Sequence, residues 1–357
     1  MSALTDRLFE SSVARGIPLS VQIDLTMRCN EKCIHCYRVI ESRPELSTDE
    51  LRRLLDELAS LGTLYVTFSG GEVFLRPDLF AIIEHAKARR FDVRLKSNAL
   101  LVTEATARRL RALGVRQVDV SLYSADPAVH DGVTLVPRSL ERTLEGVARL
   151  KDAGVGVKLN CPLMTVNVAG YRAVRELADR LDVAWGFDPM ITAKNDGDAT
   201  PVTLRIGGRD LRRVLLDPDL GLDPGPAEGP AVRADIDEIP CGAGHNAGYV
   251  SPYGDVSPCV SMPIVCGNVR NEPFGEIWRR SPDMLKVRSI RIRDLHTCGG
   301  CAAGRFCARC PGQALVENGD LYGPSTAACD HALVAAEAAG SSAVPASFIP
   351  LRALARG

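Results

Sequence analysis

Between about residues 18 and 190, short apolar or β-branched runs alternate with longer stretches whose apolar positions recur at helical spacing. The runs are Val21 to Leu25, Leu64 to Phe68, Val93 to Leu95, Gln117 to Leu122, Val155 to Leu159 and Val183 to Phe187. The stretches between them, Thr48 to Leu61, Asp78 to Arg89, Thr103 to Leu113, Ser139 to Ala153 and Ala169 to Leu181, read as amphipathic helices, three of them closing near Gly62, Gly114 and Gly154. Strand-helix alternation with right-handed crossovers predicts an α/β fold: a parallel sheet with helices outside. Sites on such sheets gather at the C-terminal ends of the strands. Six units suggest a partial (β/α)6 barrel rather than a closed eightfold one.

The pattern breaks after residue 190. Asp196-Gly197-Asp198, Gly207-Gly208 and Leu220-Gly221-Leu222-Asp223-Pro224-Gly225-Pro226 interrupt any long periodicity, leaving a linker over 191–240 with one helix near Arg209 to Leu216. From Cys241 the chain turns cysteine-rich through about residue 335. An Ala-rich, then Pro-interrupted tail over 336–357 reads as a helix leading to a loose end, and residues 1–17 read as an N-terminal extension.

Composition adds exclusions. With 357 residues, 46% of them hydrophobic and 24% charged, the chain is long enough for one large domain and a smaller one. A formal charge of -1 gives no net basic field to collect nucleic acid or an anionic membrane. The first residues lack a secretory signal, and no apolar run is long enough to span a bilayer, so a cytoplasmic protein is expected. In that compartment twelve cysteines suit metal ligation better than disulfides.

The first cysteine group is Cys29, Cys33 and Cys36, spaced C-x3-C-x2-C on the segment that follows the first strand. Three thiolates on one loop can hold three irons of a [4Fe-4S] cube and leave the fourth open to a further ligand, whereas four thiolates make a closed electron carrier. A structural zinc loop, which usually takes paired knuckles or a nearby His, is the bland alternative. Ser69-Gly70-Gly71-Glu72 follows the second strand, where two glycines let backbone approach a ligand closely. Ser97-Asn98 ends the third strand, Ser121 the fourth and Asn160 the fifth; each is also an ordinary strand-end cap.

Together these residues resemble the radical SAM superfamily. The resemblance implies that Cys29, Cys33 and Cys36 bind a [4Fe-4S] cluster whose open iron chelates S-adenosylmethionine. It also implies that Ser69, Gly70, Gly71 and Glu72 serve the methionyl amino group and Ser97 and Asn98 the ribose, with Tyr37, Ser121 and Asn160 as further cofactor contacts. His35 takes a position where many relatives carry an aromatic residue and need not be a ligand.

The second group reads Cys241-x12-Gly254-x4-Cys259, then Cys298-x2-Cys301-x5-Cys307-x2-Cys310, then Cys329. It resembles the SPASM extension of radical SAM enzymes, with x2 where that pattern has x3 before its penultimate cysteine. The resemblance implies two auxiliary iron-sulfur clusters, one on Cys298, Cys301, Cys307 and Cys329, the other on Cys241, Cys259 and Cys310. Cys266 is a candidate fourth ligand for the latter, and without it that site could hold a [2Fe-2S] unit, a solvent-ligated cube or a substrate-touching cluster. Zinc knuckles share the C-x2-C-x5-C-x2-C spacing. Cys161 is a candidate hydrogen-atom donor, although a buried thiol is usually a small hydrophobe. Asp188, Lys194, Asp196 and Asp198 are candidate substrate contacts.

The expected activity is reductive cleavage of S-adenosylmethionine to a 5'-deoxyadenosyl radical and hydrogen abstraction from an unactivated C-H bond, in an oxidoreductase or peptide maturase. The favoured substrate is a ribosomally made peptide, crosslinked, oxidised or epimerised; the alternatives are a radical dehydrogenase or epimerase of a sugar or aminocyclitol, and a non-catalytic electron carrier. A flavodoxin or ferredoxin is the expected electron donor. With only ~20 residues before the first strand, a separate leader-peptide-binding protein is a further candidate partner.

Overall fold

The computed structural model of the chain describes residues 3–221 and 235–340. Leu222-Asp223-Pro224-Gly225-Pro226 and the tail beyond residue 340 lie outside the described residues. One nine-stranded sheet organises the rest, in the order β6-β5-β4-β3-β2-β1-β7-β8-β9. Strands β1 (Ser20–Thr26), β2 (Tyr65–Gly70), β3 (Asp92–Ser97), β4 (Gln117–Ser121), β5 (Gly156–Pro162) and β6 (Ala184–Asp188) are the six runs expected from the sequence. They pair in succession, all parallel.

Alternation explains which face each residue takes. Val21, Ile23 and Leu25 of β1, Val66 and Phe68 of β2, Val93 and Leu95 of β3, and Val118 and Val120 of β4 are fully buried in one hydrophobic core under the helices. Gln22 and Asp24, Lys96, Asp119, Lys158 and Asn160 occupy the alternate positions and form a polar inner face. The helix Thr48–Ser60 shows the local logic. Ser47 and Glu50 close a capping box at its start, and Leu51, Leu54, Leu55 and Leu58 carry its buried stripe.

Strands β7 (Ala247–Val250), β8 (Asp255–Ser257) and β9 (Gly267–Asn268) extend this sheet from the cysteine-rich region. β7 pairs parallel with β1, and β8 and β9 follow antiparallel. The cysteine-rich segment therefore covers the free edge of β1. Ion pairs tie it further to the rest of the chain: Arg270 to Glu50 and Arg43 to Asp255 across to the six-stranded part, and Arg205 of the linker to Glu317 on the helix Pro311–Asn318. The expected linker helix stands at Gly208–Leu215, against the helix Thr326–Ala338 through Arg212 and Glu337. Among the described residues, no helix is long and apolar enough to cross a membrane.

Candidate functional site

The loop that leaves β1 carries Cys29, Cys33 and Cys36 at the C-terminal end of the sheet, all partly exposed. Close packing against the next loop fixes its course. Gly71 N donates to Thr26 O at 2.7 Å and Glu72 N to Arg28 O at 2.8 Å. A Cβ on Gly70 would collide with the Thr26 carbonyl and one on Gly71 with the Arg28 carbonyl, so side chains are excluded at both positions. A helix that the sequence reading did not anticipate, Pro127–Thr134, braces the other side: Lys32 N donates to Thr134 O at 3.1 Å and Ile34 N to Val133 O at 3.0 Å. Asp126 capping the first turn and Pro127 within it were the available signals.

Around the three thiols the polarity is mixed. Arg38 Nε donates to Cys36 Sγ at 3.1 Å, and Tyr123 Oη lies 3.5 Å from Cys33 Sγ with its ring edge-on to His35. Tyr123 was also missed from sequence; its place just past β4 was the signal. Burial pushes the Cys29 and Cys33 thiols up and His35 down to about 4. Three buried polar atoms of this loop, Asn30 Nδ2, Glu31 Oε1 and His35 Nδ1, have no hydrogen-bond partner, as expected where a polar group is still to be bound. Three thiols, a cation and unsatisfied polar atoms fit an iron-sulfur cluster with a polar ligand.

The strand-end residues gather beside this loop. Glu72 is fully buried, accepts Ser97 Oγ at 2.9 Å and Asn98 N at 2.9 Å, and is pushed up by desolvation against those bonds. Asn98 Nδ2 donates to Asn30 Oδ1 at 2.7 Å, tying β3 to the cysteine loop. Ser121 and Asn160 are register partners at the ends of β4 and β5. Ser69, next to last in β2, lies opposite Asp24, which is buried and accepts Gln22 Nε2 at 2.9 Å and Tyr249 Oη at 3.0 Å. Tyr37 is held in the same region, its hydroxyl pushed up by burial and by the nearby Asp24, Cys36 and Cys259.

Two candidate cysteines lie in packed surroundings. Cys161 lies on the core side of β5 with Val157 and Leu159, 2% exposed, its thiol directed at Tyr123 O at 3.6 Å and pushed up to about 12 by burial. It packs with the core residues of β5. Cys266 is also a packing thiol: its neighbours are Ile264 O, Ser281, Asp283 and Arg288, and burial pushes it up to about 11. No other cysteine is among the groups that shift it. Of the candidate substrate contacts, Asp188 lies near Lys96 and His331, while Lys194 and Asp198 pair with each other on an exposed loop that Asp196 braces through Asp198 N.

The seven remaining thiols fall into two sets. Cys241 and Cys310 each sense Cys259, and Cys241 senses Cys310, as negative neighbours. Cys310 precedes the helix Pro311–Asn318 and receives the amides of Gly312 and Gln313, which favour a thiolate at that helix start. Cys329 senses Cys298, Cys301 and Cys307, and these four thiols line one apolar cavity. Among the described residues no three His, Cys, Asp or Glu side chains converge as a single ion requires. Four thiols ringing a cavity suit a multi-iron core.

Comparison with known proteins identifies two domains in the chain. The model of the radical SAM superfamily matches residues 23–178, and that of the SPASM iron-sulfur cluster-binding domain matches residues 241–311. An AdoMet-dependent heme synthase of Nitratidesulfovibrio vulgaris (strain Hildenborough) is 29% identical over 83% of this chain and 88% of its own. A PqqA peptide cyclase of Xanthomonas axonopodis pv. citri is 29% identical over 92% of this chain and 93% of its own. In fold, Streptococcus suis SuiB bound to the precursor peptide SuiA superposes with a TM-score of 0.69 at 16% identity, over 90% of this chain and 79% of that one.

Proposed function

Because the chain belongs to the radical SAM superfamily and carries a SPASM domain, we propose that it abstracts hydrogen from an unactivated C-H bond of a ribosomally made peptide and thereby matures it. The observation that carries the proposal is the convergence of Cys29, Cys33 and Cys36 with Gly70-Gly71 and the Glu72-Ser97-Asn98 network at one end of the sheet. The bound cluster and S-adenosylmethionine would supply a 5'-deoxyadenosyl radical, which takes hydrogen from bonds no side-chain base can deprotonate.

The chain's own residues prepare the site. Cys29, Cys33 and Cys36 would hold the cluster, and Arg38 offsets thiolate charge at Cys36. Gly70 and Gly71 let the loop after β2 pack against the Thr26 and Arg28 carbonyls at the start of the cysteine loop, and Glu72 holds the end of β3 in place through Ser97 and Asn98. Ser121 and Asn160 present polar groups at the next two strand ends. Leu25, Phe68 and Leu95 behind the polar face keep the strands dry and fixed. Cys298, Cys301, Cys307 and Cys329 would hold one auxiliary cluster and Cys241, Cys259 and Cys310 another, with the fourth position of the latter left to a group other than Cys266.

The peptide reading is supported by the peptide cyclase, which covers this chain almost end to end. A second reading, a heme-forming reaction, is supported by the equal identity of the heme synthase, and the inward lysines Lys96 and Lys158 would suit any substrate bearing carboxylates. One experiment tests both. Anaerobically reconstituted, dithionite-reduced protein is incubated with S-adenosylmethionine and either short open-reading-frame peptides encoded beside the gene or a tetrapyrrole heme precursor, and 5'-deoxyadenosine and substrate mass are followed. Substrate-stimulated cleavage with a mass change in a peptide supports maturation. A change in the tetrapyrrole alone overturns it in favour of the second reading, and no 5'-deoxyadenosine in any mixture overturns both.

A further inference from the structure

We propose that Arg309 is a shared cation of the two auxiliary clusters and sets the reduction potential of both. The inference rests on the reading that the two thiol sets hold clusters. Its basis is the short segment Cys307-Ala308-Arg309-Cys310, whose two ends belong to different sets: Cys307 faces Cys329 and Cys310 faces Cys259. Two residues thus bridge two sites, and one of them is charged.

Arg309 is only 5% exposed. Its Nε donates to Gly323 O at 3.0 Å and its Nη2 to Leu321 O at 2.6 Å, which fixes the plane of the guanidinium. Nη1 is buried and has no hydrogen-bond partner. The side chain lines the cavity ringed by Cys298, Cys301, Cys307 and Cys329, and its backbone adjoins Cys310 of the other set. Among the described residues no carboxylate pairs with it. A buried cation whose hydrogen bonds go only to carbonyls is costly unless an anion faces it, and the anions available here are thiolates and the cluster sulfides they would carry.

Charge and hydrogen bonds to sulfur are the main terms by which a protein sets a cluster's potential. One-electron reduction adds a negative charge to a cluster, so a fixed cation beside it favours the reduced form. Removing the cation should lower both auxiliary midpoints, while the barrel cluster, which has its own cation in Arg38 beside Cys36, should hold its own and serve as the internal reference.

The test is an EPR-monitored potentiometric titration of anaerobically reconstituted full-length protein, as wild type, Arg309→Lys and Arg309→Met. Arg309→Met is expected to shift the reduction equilibrium of both auxiliary signals about tenfold, 59 mV for one electron, toward the oxidised form. The barrel signal should not move, and Arg309→Lys should stay near wild type. A fully loaded Met variant with unshifted auxiliary midpoints overturns the proposal, and so does an equal shift of all three signals. If Met does not load iron, a Lys variant that loads with wild-type midpoints supports the charge role, and one that fails to load or loads with shifted midpoints overturns it in favour of packing. Iron near 4 per wild-type chain with no auxiliary signal would instead sink the cluster reading itself.

Discussion

Glu317→Gln should lower the melting temperature of the iron-loaded protein by several degrees, because it strands a buried arginine. Arg205 and Glu317 have side chains 5% and 10% exposed and meet through both guanidinium nitrogens, with Nη1 donating to Oε2 at 2.9 Å. Arg205 Nε is committed to Ile191 O, so the guanidinium cannot turn to water. Gln keeps the volume of Glu but removes the countercharge and points an amide donor at a donor. Removing one partner of a buried pair costs about 3–5 kcal/mol. At roughly 2 °C per kcal/mol for a chain of this size, the fall should be about 6–10 °C. Circular dichroism melts at matched scan rates, under anaerobic conditions, would measure it, since unfolding of such a protein is expected to be irreversible. Arg205→Leu with Glu317→Leu should recover most of the loss, because two apolar side chains carry no desolvation penalty. A Glu317→Gln melt within about 1 °C of wild type would refute the reasoning, showing that water reaches the pair.

Three further outcomes follow from the same structure. Cys266→Ala should leave iron content and cluster spectra unchanged and cost about 1 kcal/mol of buried surface; a drop in iron by colorimetric assay would return Cys266 to the ligand set. Gly71→Ala places a Cβ against the Arg28 carbonyl, so iron at the first loop should fall by about 4 per chain while the two downstream sites still load; full iron in that variant would show that the loop can yield. Glu50 is held down at about 2 by its hydrogen bond from Arg270. Its folded value is depressed, so its contribution is complete above the ordinary carboxylate range and fades as pH falls toward about 2. With both side chains partly exposed the effect is about 1 kcal/mol. Glu50→Gln should therefore narrow the stability difference between pH 7 and pH 3 in urea titrations, and parallel acid limbs for the two proteins would refute it.

Much of this protein is legible along the chain. The six parallel strands follow from β-branched runs, and the helices from apolar spacing and caps such as Ser47 and Glu50, because both depend on neighbours a few residues apart. Cysteine spacing likewise marks the first loop and the downstream group, since ligands on one loop must be close in sequence. The helix Pro127–Thr134 was harder to read, because its β-branched residues and Gly132 are weak helix formers and its stability comes from Asp126 and from packing on the cysteine loop.

What only the tertiary structure decided is which distant groups meet. Strand alternation turned Cys161 into the core by a single register position, a choice that nothing in Asn160-Cys161-Pro162 reveals. The pairing of β7 with β1 brings Cys259 into electrostatic reach of Tyr37, and packing behind β8 and β9 carries Cys266 away toward Ser281 and Arg288. Arg309 looks like one more surface charge in the sequence; it becomes a buried cation between two thiol sets only because Leu321 and Gly323 fold back over it. Local pattern fixes elements because backbone and neighbour interactions act over a few residues, whereas burial and charge environment depend on contacts across the chain that sequence spacing does not encode.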